Sequence, residues 1–476
     1  MFDGPIRDHA HWTPRAPAVV LPDRTISYAQ FNADIDHVAA VVADLGIVQG
    51  CGVVALSIRS AYLQYVALAA LARLGVPSSP HTDLAADLRL TEQSDLTGPG
   101  VVRLDPDILH RNRQSARPPL PILDTAPDAL LRVLLSSGTT AAPRRVPFSC
   151  RRIDANTLAN LRVYGAGKRG LWIPLTGMDS LLGFSMIVLG WNQGAAMANG
   201  LPMSSMADTL DAHREGVIGT TPAKLRDLLS SLPSDFQASP GWRVVAAGAT
   251  LPAPVAREAA LRLTPDVRRQ YGATESCQIA AGFALHGPDI PGLVGVTPAG
   301  AQLKIVDLAG LEVPNGISGE ICVRGERTAP GYLDDPAATA QRFREGWFLT
   351  GDIGRRLHDS TIVVEGRIDD RMTLASGKFM PGLLEAPALE CPGVIDCAAV
   401  AVPGPDGIDQ CWLAVVTVPD FNRDSLANHL AAYPGLPENR FAWTDGIPRN
   451  PMGKIDRLKL RDALLAALGA GGGSSA

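Results

Sequence analysis

Glycine and hydroxyl-bearing residues form one short segment that could bind an anion. The segment follows the hydrophobic run at residues 131–135 and consists of Ser136, Ser137, Gly138, Thr139 and Thr140. Small and hydroxylated residues let backbone amides approach an anion closely, and the guanidinium group of Arg144 can add charge-assisted hydrogen bonds. The segment therefore indicates a triphosphate-binding loop, although it lacks the GxxxxGK[ST] spacing and ordinary turns have the same composition.

Five further motifs follow this loop in order along the chain. They are Ala247-Gly248-Ala249, Tyr271-Gly272-Ala273-Thr274-Glu275, the segment 347–352 that ends at Asp352, Gly366-Arg367-Ile368-Asp369-Asp370, and the segment 450–457 around Lys454. Each motif alone has an ordinary structural interpretation, such as a helix cap, a turn or a solvated loop charge. Six motifs in this order are far more specific than any one of them.

In these six motifs the sequence resembles the acyl-adenylate-forming superfamily of acyl-CoA synthetases, peptide-synthetase adenylation domains and luciferases. The resemblance extends from about residue 17 to residue 468. It implies that ATP activates a carboxylic acid as an acyl-adenylate, with release of pyrophosphate, before the acyl group passes to a thiol. The implied cofactors are ATP, Mg²⁺ and either coenzyme A or phosphopantetheine. The implied partners are a small-molecule carboxylic acid and, where phosphopantetheine is the acceptor, an acyl or peptidyl carrier protein.

The resemblance also gives roles to residues around the nucleotide. The tyrosine of the family's YGxTE segment stacks on adenine, and this role passes to Tyr271. Thr274 is expected to contact the α-phosphate, Glu275 to hold Mg²⁺, and Asp352 to accept hydrogen bonds from both ribose hydroxyls. An aromatic face and carboxylate oxygens have the chemistry that such contacts require.

Two cationic residues and a hinge complete the machinery that the resemblance implies. Arg367 matches the family arginine near the ribose and phosphate, and Asp369 matches the residue about which the C-terminal domain rotates. Lys454 matches the lysine that bridges the substrate carboxylate and the ATP phosphates, where negative charge develops. Only six of the 43 basic side chains are lysines, so a lysine retained at this position is unusually informative.

The implied site therefore has a catalytic group and a nucleotide-binding group. The catalytic group is Lys454, Thr274, Glu275 and Arg367. The nucleotide-binding group is Ser136, Ser137, Gly138, Thr139, Thr140, Arg144, Gly248, Ala249, Tyr271, Gly272, Asp352 and Arg367.

The acyl pocket is the least certain part of the site, and Asp179, Gly248 and Ala273 are its candidate residues. Many acyl-CoA synthetases have Pro-Leu-Phe-His where this chain has Pro174-Leu175-Thr176-Gly177-Met178-Asp179-Ser180. The latter is partly similar to the Phe-Asp-x-Ser of amino-acid-activating domains. Asp179 could bind a substrate ammonium group in a poorly solvated pocket. Its alternative role is to cap the apolar helix that begins near Leu181.

The chain departs from the family pattern in two places. In the phosphate loop, Ala141 replaces a usual glycine and Arg144-Arg145 replaces Lys-Gly, and Ala141 narrows the backbone conformations that the loop can adopt. After the hinge, Thr373 stands where lysine is common, and the segment 377–381 is one residue short. Since this second segment faces the thiol acceptor in the family, the acceptor is the least secure part of the resemblance.

Hydrophobic periodicity places these motifs in an α/β fold. Helix-like stretches at residues 28–45 and 62–74 flank a strand-like run at 52–57, and further strand-like runs at 131–135, 170–174, 217–219 and 242–246 indicate mainly parallel sheets covered by helices. We expect an N-terminal AMP-binding domain at 1–368 with a β-rich subdomain from about 291, a small mobile α+β lid domain at 369–468, and a flexible tail at 469–476.

Composition excludes several other classes of protein. The net charge is −5 with both signs dispersed, so a basic nucleic-acid surface is not expected. The longest apolar stretches, 61–76 and 181–191, are too short to span a membrane, and Arg73 interrupts the first. Residues 1–9 lack the pattern of a secretory signal, and the seven cysteines are predicted to be reduced and mostly buried. We therefore predict a cytoplasmic enzyme.

Two alternative functions remain open at this stage. One is a freestanding amino-acid adenylation enzyme that loads a carrier protein, for which Asp179 is the best support. The other is a catalytically inactive binding paralogue, supported by Ala141 and the altered segment after the hinge. The presence of Glu275, Asp352 and Lys454 argues against inactivity.

Overall fold

The computed structural model describes residues 2–80, 86–105, 107–111, 123, 125–136, 143–165, 167, 169–286, 290–358, 360–404, 407–450 and 454–470. Four residues of the predicted phosphate loop, Ser137, Gly138, Thr139 and Thr140, lie outside these ranges, as does Ala141. The remaining candidate site residues are all described.

The first part of the chain combines short strands with amphipathic or buried helices. Its helices are α1 Gly4–Trp12, α2 Tyr28–Asp44, α3 Ala61–Arg73 and α4 Ile108–Arg111. Its strands are β1 Pro17–Val20, β2 Thr25–Ser27, β3 Val54–Ser57, β4 Ser78–Ser79, β5 Leu88–Thr91, β6 Val101–Arg103 and β7 Leu130–Leu135.

The middle of the chain alternates strands and helices. In order, the elements are β8 Arg145–Ser149, α5 Cys150–Tyr164, β9 Leu171–Pro174, α6 Leu181–Gln193, β10 Ala196–Ala198, α7 Met206–Ala212, β11 Glu215–Thr220, α8 Pro222–Ser231, β12 Gly241–Ala247, α9 Ala253–Arg262, β13 Val267–Ala273 and β14 Cys277–Phe283, with a short 3₁₀ helix at Met203–Ser205. Side-chain hydroxyls cap α5, α6 and α8 at their amino ends, from Ser149, Ser180 and Thr221.

The remainder of the chain is richer in strands. Its elements are β15 Leu293–Val296, β16 Ala301–Val306, β17 Gly319–Gly325, α10 Pro336–Arg342, β18 Phe343–Arg344, β19 Trp347–Arg356, β20 Thr361–Arg367, a 3₁₀ helix at Ile368–Asp370, β21 Met372–Leu374, β22 Gly377–Phe379, α11 Gly382–Glu390, β23 Val394–Pro403, β24 Asp409–Thr417, α12 Arg423–Ala431, β25 Asn439–Trp443 and α13 Arg457–Ala470. Helix α13 extends two residues into the predicted tail.

Two large sheets organise the chain up to residue 367. The described residues form a 14-stranded sheet in the order β16-β17-β19-β20-β15-β14-β13-β12-β11-β9-β10-β1-β2, with β18 beside β19, and a six-stranded sheet in the order β6-β5-β3-β4-β7-β8. The run β13-β12-β11-β9-β10-β1 is parallel throughout. The predicted mixed α/β fold with mainly parallel sheets and covering helices is therefore confirmed.

The β-rich region after residue 291 continues the large sheet. β14 pairs with β15, and β15 pairs with β20, so hydrogen bonding runs without a break from the parallel strands into the antiparallel ones. A separate apolar cluster, which includes Ile279, Ile321 and Phe348, packs beneath these strands. The antiparallel strands therefore extend the same surface that the parallel strands form.

The elements after the Ile368–Asp370 turn form sheets of their own. β23, β24 and β25 make a three-stranded sheet, and β21 pairs with β22. Leu384, Leu413 and Leu426, from α11, β24 and α12, are fully buried in the apolar core that they share. For brevity, residues 371–470 are called the lid below.

Helix α3 accounts for the first long apolar stretch, and it is buried inside the protein. Arg73 at its end is also buried, and its guanidinium group contacts the carboxylates of Asp3 at 3.1 Å and Asp36 at 2.8 Å. A buried guanidinium group is stable here because two carboxylates balance its charge.

Across the part of the chain that the structure describes, no helix is both long and apolar enough to cross a bilayer. All seven cysteines are free thiols, and six of them are buried.

Candidate active site

The carboxyl ends of the parallel strands collect most of the predicted motifs at one edge of the large sheet. Gly248 and Ala249 follow β12, Tyr271 lies near the end of β13, and Thr274 and Glu275 follow it directly. In open α/β sheets this edge is where ligands bind, because the loops there surround a crevice. Gly248 has a φ of +91° and is exposed, as is Gly272 near the end of β13, so backbone is accessible at both places.

Asp352 forms the centre of a buried polar group. It lies on β19 directly opposite Arg367 of β20. The Tyr271 hydroxyl donates a hydrogen bond to Asp352 Oδ2 at 2.5 Å, and Arg367 Nη1 lies 3.3 Å from Oδ1. Burial raises the pKa of Asp352, whereas Arg367 and the tyrosine hydrogen bond oppose that shift. Burial and the neighbouring carboxylate raise the pKa of Tyr271 well above its ordinary value, so its phenol remains a donor.

Glu275 is a second buried carboxylate, held by two contacts from the loop before α10. The Tyr332 hydroxyl donates to Glu275 Oε1 at 2.8 Å, and the Ala329 amide donates to the Glu275 backbone carbonyl at 2.7 Å. Only 7% of Glu275 is exposed. A carboxylate held in this way, beside the phosphate-loop candidate, has the hard oxygen ligands that Mg²⁺ prefers.

The two ends of the phosphate loop are joined by a pair of hydrogen bonds. The Ser136 amide donates to the Arg144 carbonyl at 2.8 Å, and the Arg144 amide donates to Ser136 Oγ at 2.9 Å. The Arg144 guanidinium group lies 3.3 Å from Asp335 and 5.2 Å from the centre of the Tyr332 ring. Thr274 Oγ1 donates to the Leu135 carbonyl at 3.3 Å, so the YGxTE motif contacts the base of the loop.

Lys454 extends from the lid towards the same crevice. Its amide donates to Asn450 Oδ1 at 3.0 Å, and the Asn450 amide donates to the Lys454 carbonyl at 2.9 Å, so these two residues hold each other in place. Burial lowers the pKa of Lys454 below its ordinary value of 10.5, whereas the charges of Asp352 and Glu275 oppose the shift. The ammonium group is therefore close enough to sense both carboxylates of the large sheet.

The candidate hinge is a single turn between the large sheet and the lid. Asp369 is exposed in the 3₁₀ helix Ile368–Asp370, immediately after Arg367 of β20. Its neighbour Asp370 lies 3.5 Å from Arg457 at the start of α13. A short exposed turn with few packing contacts can change its backbone dihedrals at low cost.

Asp179 is exposed in the turn before α6, and it is not the cap of that helix. Ser180 is the N-cap, because its hydroxyl accepts a hydrogen bond from the Gly183 amide at 3.0 Å. The charge of Asp179 acts on Arg132, a fully buried residue of β7. Burial lowers the pKa of Arg132 to about 9, and Asp179 opposes that shift. The capping interpretation of Asp179 is therefore wrong.

Arg152 was not predicted as a site residue, yet it connects three segments of the site. It lies in the first turn of α5, is 3% exposed, and donates to the carbonyls of Arg327 at 2.7 Å, Pro147 at 2.5 Å and Thr274 at 2.5 Å. The guanidinium group also lies 3.8 Å from the Phe148 ring centre. In the sequence it stands beside Arg151 and is indistinguishable from an ordinary surface charge.

We expect Arg152→Met to destabilise the protein, because the carbonyls of Arg327, Pro147 and Thr274 lose a charged donor. The free energy of unfolding from a urea titration should fall by about 2–4 kcal/mol. Arg151→Met is the matched control, since Arg151 is half-exposed and pairs with Asp128 at the surface. It should change stability by less than about 0.5 kcal/mol. Equal losses in the two variants would contradict the role given to Arg152.

Known proteins similar to this chain fall in one family. The family model for AMP-binding enzymes matches residues 6–333. The chain is 28% identical to tyrocidine synthase 3 of Brevibacillus parabrevis over 95% of its own length, but this match spans only 7% of that relative. It is 29% identical to 4-coumarate–CoA ligase 2 of Nicotiana tabacum, over 73% of this chain and 68% of that enzyme.

A solved structure has the same architecture over nearly the whole length of the chain. ATP-bound MatB from Rhodopseudomonas palustris superposes with a TM-score of 0.84 and 23% identity, covering 97% of this chain and 99% of that one. The family match, which covers more than half of the chain, agrees with the motifs gathered at the carboxyl edge of the large sheet. The chain belongs to the family of AMP-binding, acyl-adenylate-forming enzymes.

Proposed function

We propose that the described crevice carries out both halves of an AMP-forming acid–thiol ligase reaction. A carboxylic acid first reacts with ATP to give an acyl-adenylate and pyrophosphate, and a thiol then takes the acyl group. The observation that carries this proposal is that the charges of Asp352, Arg367 and Glu275 act on Lys454, which lies on the other side of the candidate hinge. The same residue types are those that the resemblance requires.

Nucleotide binding is assigned to the two carboxylates and the loops around them. Asp352 offers acceptor oxygens for the ribose hydroxyls, with Tyr271 and Arg367 holding the carboxylate in place. Glu275 would hold Mg²⁺, which supplies positive charge to the triphosphate when it is bound. Gly248 and Ala249 after β12, and Gly272 near the end of β13, are proposed to contact the adenine and the acyl group through exposed backbone, and Ala273 is proposed to line the acyl pocket.

The first half-reaction needs positioning and charge rather than a side-chain nucleophile. An oxygen of the substrate carboxylate forms a bond to the α-phosphorus, while the bond from that phosphorus to the bridging oxygen breaks and pyrophosphate leaves. Negative charge grows on both sides of the transferred group, and the ammonium group of Lys454 is proposed to lie between them. Thr274 and Arg367 are proposed to contact the same α-phosphate.

The second half-reaction exchanges oxygen for sulfur at the acyl carbon. A thiolate forms a carbon–sulfur bond, and the bond from that carbon to AMP breaks. AMP is a stable leaving group, whereas the free carboxylate would have to expel oxide. Rotation about Asp369 is proposed to remove Lys454 and admit the thiol, since the hinge turn directly follows Arg367.

The segment after the hinge, which faces the thiol acceptor in the family, contains a lysine, although not at the position where lysine is common. Thr373, which stands where lysine is common, pairs directly across the β21–β22 hairpin with Lys378, and both residues are exposed. Directly opposed residues share one face of a hairpin. We propose that Lys378 supplies the positive charge at this face for either coenzyme A or a carrier-bound phosphopantetheine.

Neither alternative function is supported by a specific observation. Asp179 is exposed, whereas binding of an ammonium group by an aspartate calls for a poorly solvated pocket, so the amino-acid alternative is not favoured. The carboxylates Glu275 and Asp352 and the cations Arg367 and Lys454 come together as an active enzyme requires. A plain carboxylic acid is therefore the preferred substrate class.

A panel of acids tests this function directly. Aliphatic, aromatic and amino acids are incubated with ATP and Mg²⁺, and pyrophosphate release is scored with and without coenzyme A or a phosphopantetheine-loaded carrier. We expect release with a subset of non-amino acids, and thioester formation with one of the two thiols. Release with amino acids alone would contradict the preferred substrate class, and no release with any acid would contradict the function.

Replacement of Lys454 by alanine should separate the two halves. Loss of one preorganised charge at the developing negative charge lowers single-turnover pyrophosphate release by about 10²–10³. Thioester formation from pre-made acyl-adenylate should change little. Lys459→Ala is the control, because Lys459 is exposed on α13 and pairs with Asp456. Wild-type pyrophosphate release in Lys454→Ala would refute the role of this lysine.

The pH dependence of adenylation should also report Lys454. Its protonated form is the active one, and burial lowers its pKa, so kcat/KM for ATP should fall as pH rises through a value below 10.5. Lys454→Arg should retain less activity and lose this alkaline decline, since a guanidinium group stays charged. An identical alkaline limb in both proteins would assign the titration to another group.

A further inference from the structure

An ion pair joins the lid to the large domain at a place separate from the proposed catalytic lysine. Arg226 is in the middle of α8, a helix of the large domain, and Asp396 is on β23 of the lid. Arg226 Nη1 lies 3.5 Å from Asp396 Oδ2, and the two side chains are 24% and 13% exposed. Neither residue belongs to any of the six motifs.

Within the lid, Asp396 also organises the segment that carries Lys454. Arg449 Nη2 donates to both oxygens of Asp396, at 2.9 and 2.8 Å. The backbone of Arg449 pairs with that of Ile455, so the residue held by Asp396 lies directly across from the neighbour of Lys454. One carboxylate therefore links α8 to the pairing of Arg449 with Ile455, next to Lys454.

The two ion pairs of Asp396 differ in what a rotation of the lid would do to them. Asp396 and Arg449 both belong to the lid, so their contact moves with it. Arg226 belongs to the large domain, so a swing about Asp369 would separate it from Asp396. The Arg226 contact is thus made only in the arrangement that brings Lys454 towards Asp352.

We propose that Arg226 is a positioning residue that stabilises the adenylating arrangement of the lid through Asp396. This inference rests on the proposed two-step function. A contact made in one arrangement and absent from the other shifts the equilibrium between them by its own free energy. Removing it should reduce the fraction of enzyme that can form the acyl-adenylate, and should leave the thiol step unimpaired.

The test measures both half-reactions in a graded series at position 226. Single-turnover pyrophosphate release should fall about 3- to 10-fold in Arg226→Met, the size expected for one partly buried ion pair. Arg226→Lys should recover most of the rate, because the charge is kept. Arg226→Glu should fall further than Arg226→Met, because two carboxylates then face each other.

Thioester formation from pre-made acyl-adenylate distinguishes a positioning role from a merely structural one. A structural defect would slow this step as well as pyrophosphate release. It should stay at the wild-type rate or rise in Arg226→Met and Arg226→Glu. Arg214→Ala is the control, since Arg214 is exposed just before β11, at the opposite end of that strand from the site. It should leave both half-reactions unchanged.

Two results would overturn the inference. Parallel losses in both half-reactions would mean that Arg226 only supports the fold, and wild-type pyrophosphate release in Arg226→Glu would mean that the contact does not bias the lid. Failure of the proposed function is distinguishable from both, since the wild-type enzyme would then release no pyrophosphate with any acid of the panel.

Discussion

The buried carboxylate of Asp352 is the point on which the site depends. It lies on β19 of the large sheet, opposite Arg367 at the end of β20, and it accepts a hydrogen bond from Tyr271 while Arg367 balances its charge. A buried carboxylate without such partners would be protonated or would destabilise the fold. Arg367, which neutralises Asp352, is directly followed by the hinge turn. The proposed movement of the lid therefore begins next to this ion pair.

Charge balance across the domain junction follows from this arrangement. Lys454 belongs to the lid, yet its pKa depends on Asp352 and Glu275 of the large domain. A lid that swings away would return the lysine to water and leave the carboxylates with their own partners, Tyr271, Arg367 and Tyr332. The carboxylates of the large domain thus keep partners of their own when the lid is away. An enzyme that alternates between two lid positions requires this.

Much of the fold and of the site was predictable because local pattern determines local structure. The strand-like runs before residue 250 all became strands, and the helix expected over residues 28–45 is observed at Tyr28–Asp44. The resemblance carried by the ordered motifs predicts that Tyr271, Asp352, Arg367 and Lys454 surround one nucleotide. These residues were identifiable because their chemistry constrains both their type and their spacing.

What could not be predicted depends on long-range contacts. Arg152 and Arg226 are ordinary helix arginines in the sequence. The contacts of Arg152 with Thr274 and Arg327, and that of Arg226 with Asp396, span more than a hundred residues. The alternative role of Asp179, capping α6, is wrong because Ser180, one position later, is the cap. The continuity of the β-rich region with the parallel strands was also hidden, since strand order is not a local property.

The most direct test of the acyl-adenylate mechanism follows the carboxylate oxygens of the acid into the products. An acid that the enzyme accepts is labelled with ¹⁸O in its carboxylate, and the products of a complete reaction with ATP and thiol are analysed by mass spectrometry. Attack of the carboxylate on the α-phosphorus, followed by cleavage of the acyl carbon–oxygen bond, leaves one labelled oxygen in AMP and none in pyrophosphate. The two-step acyl-adenylate mechanism predicts this distribution. Label in inorganic phosphate with ADP as the nucleotide product, or unlabelled AMP, would contradict it.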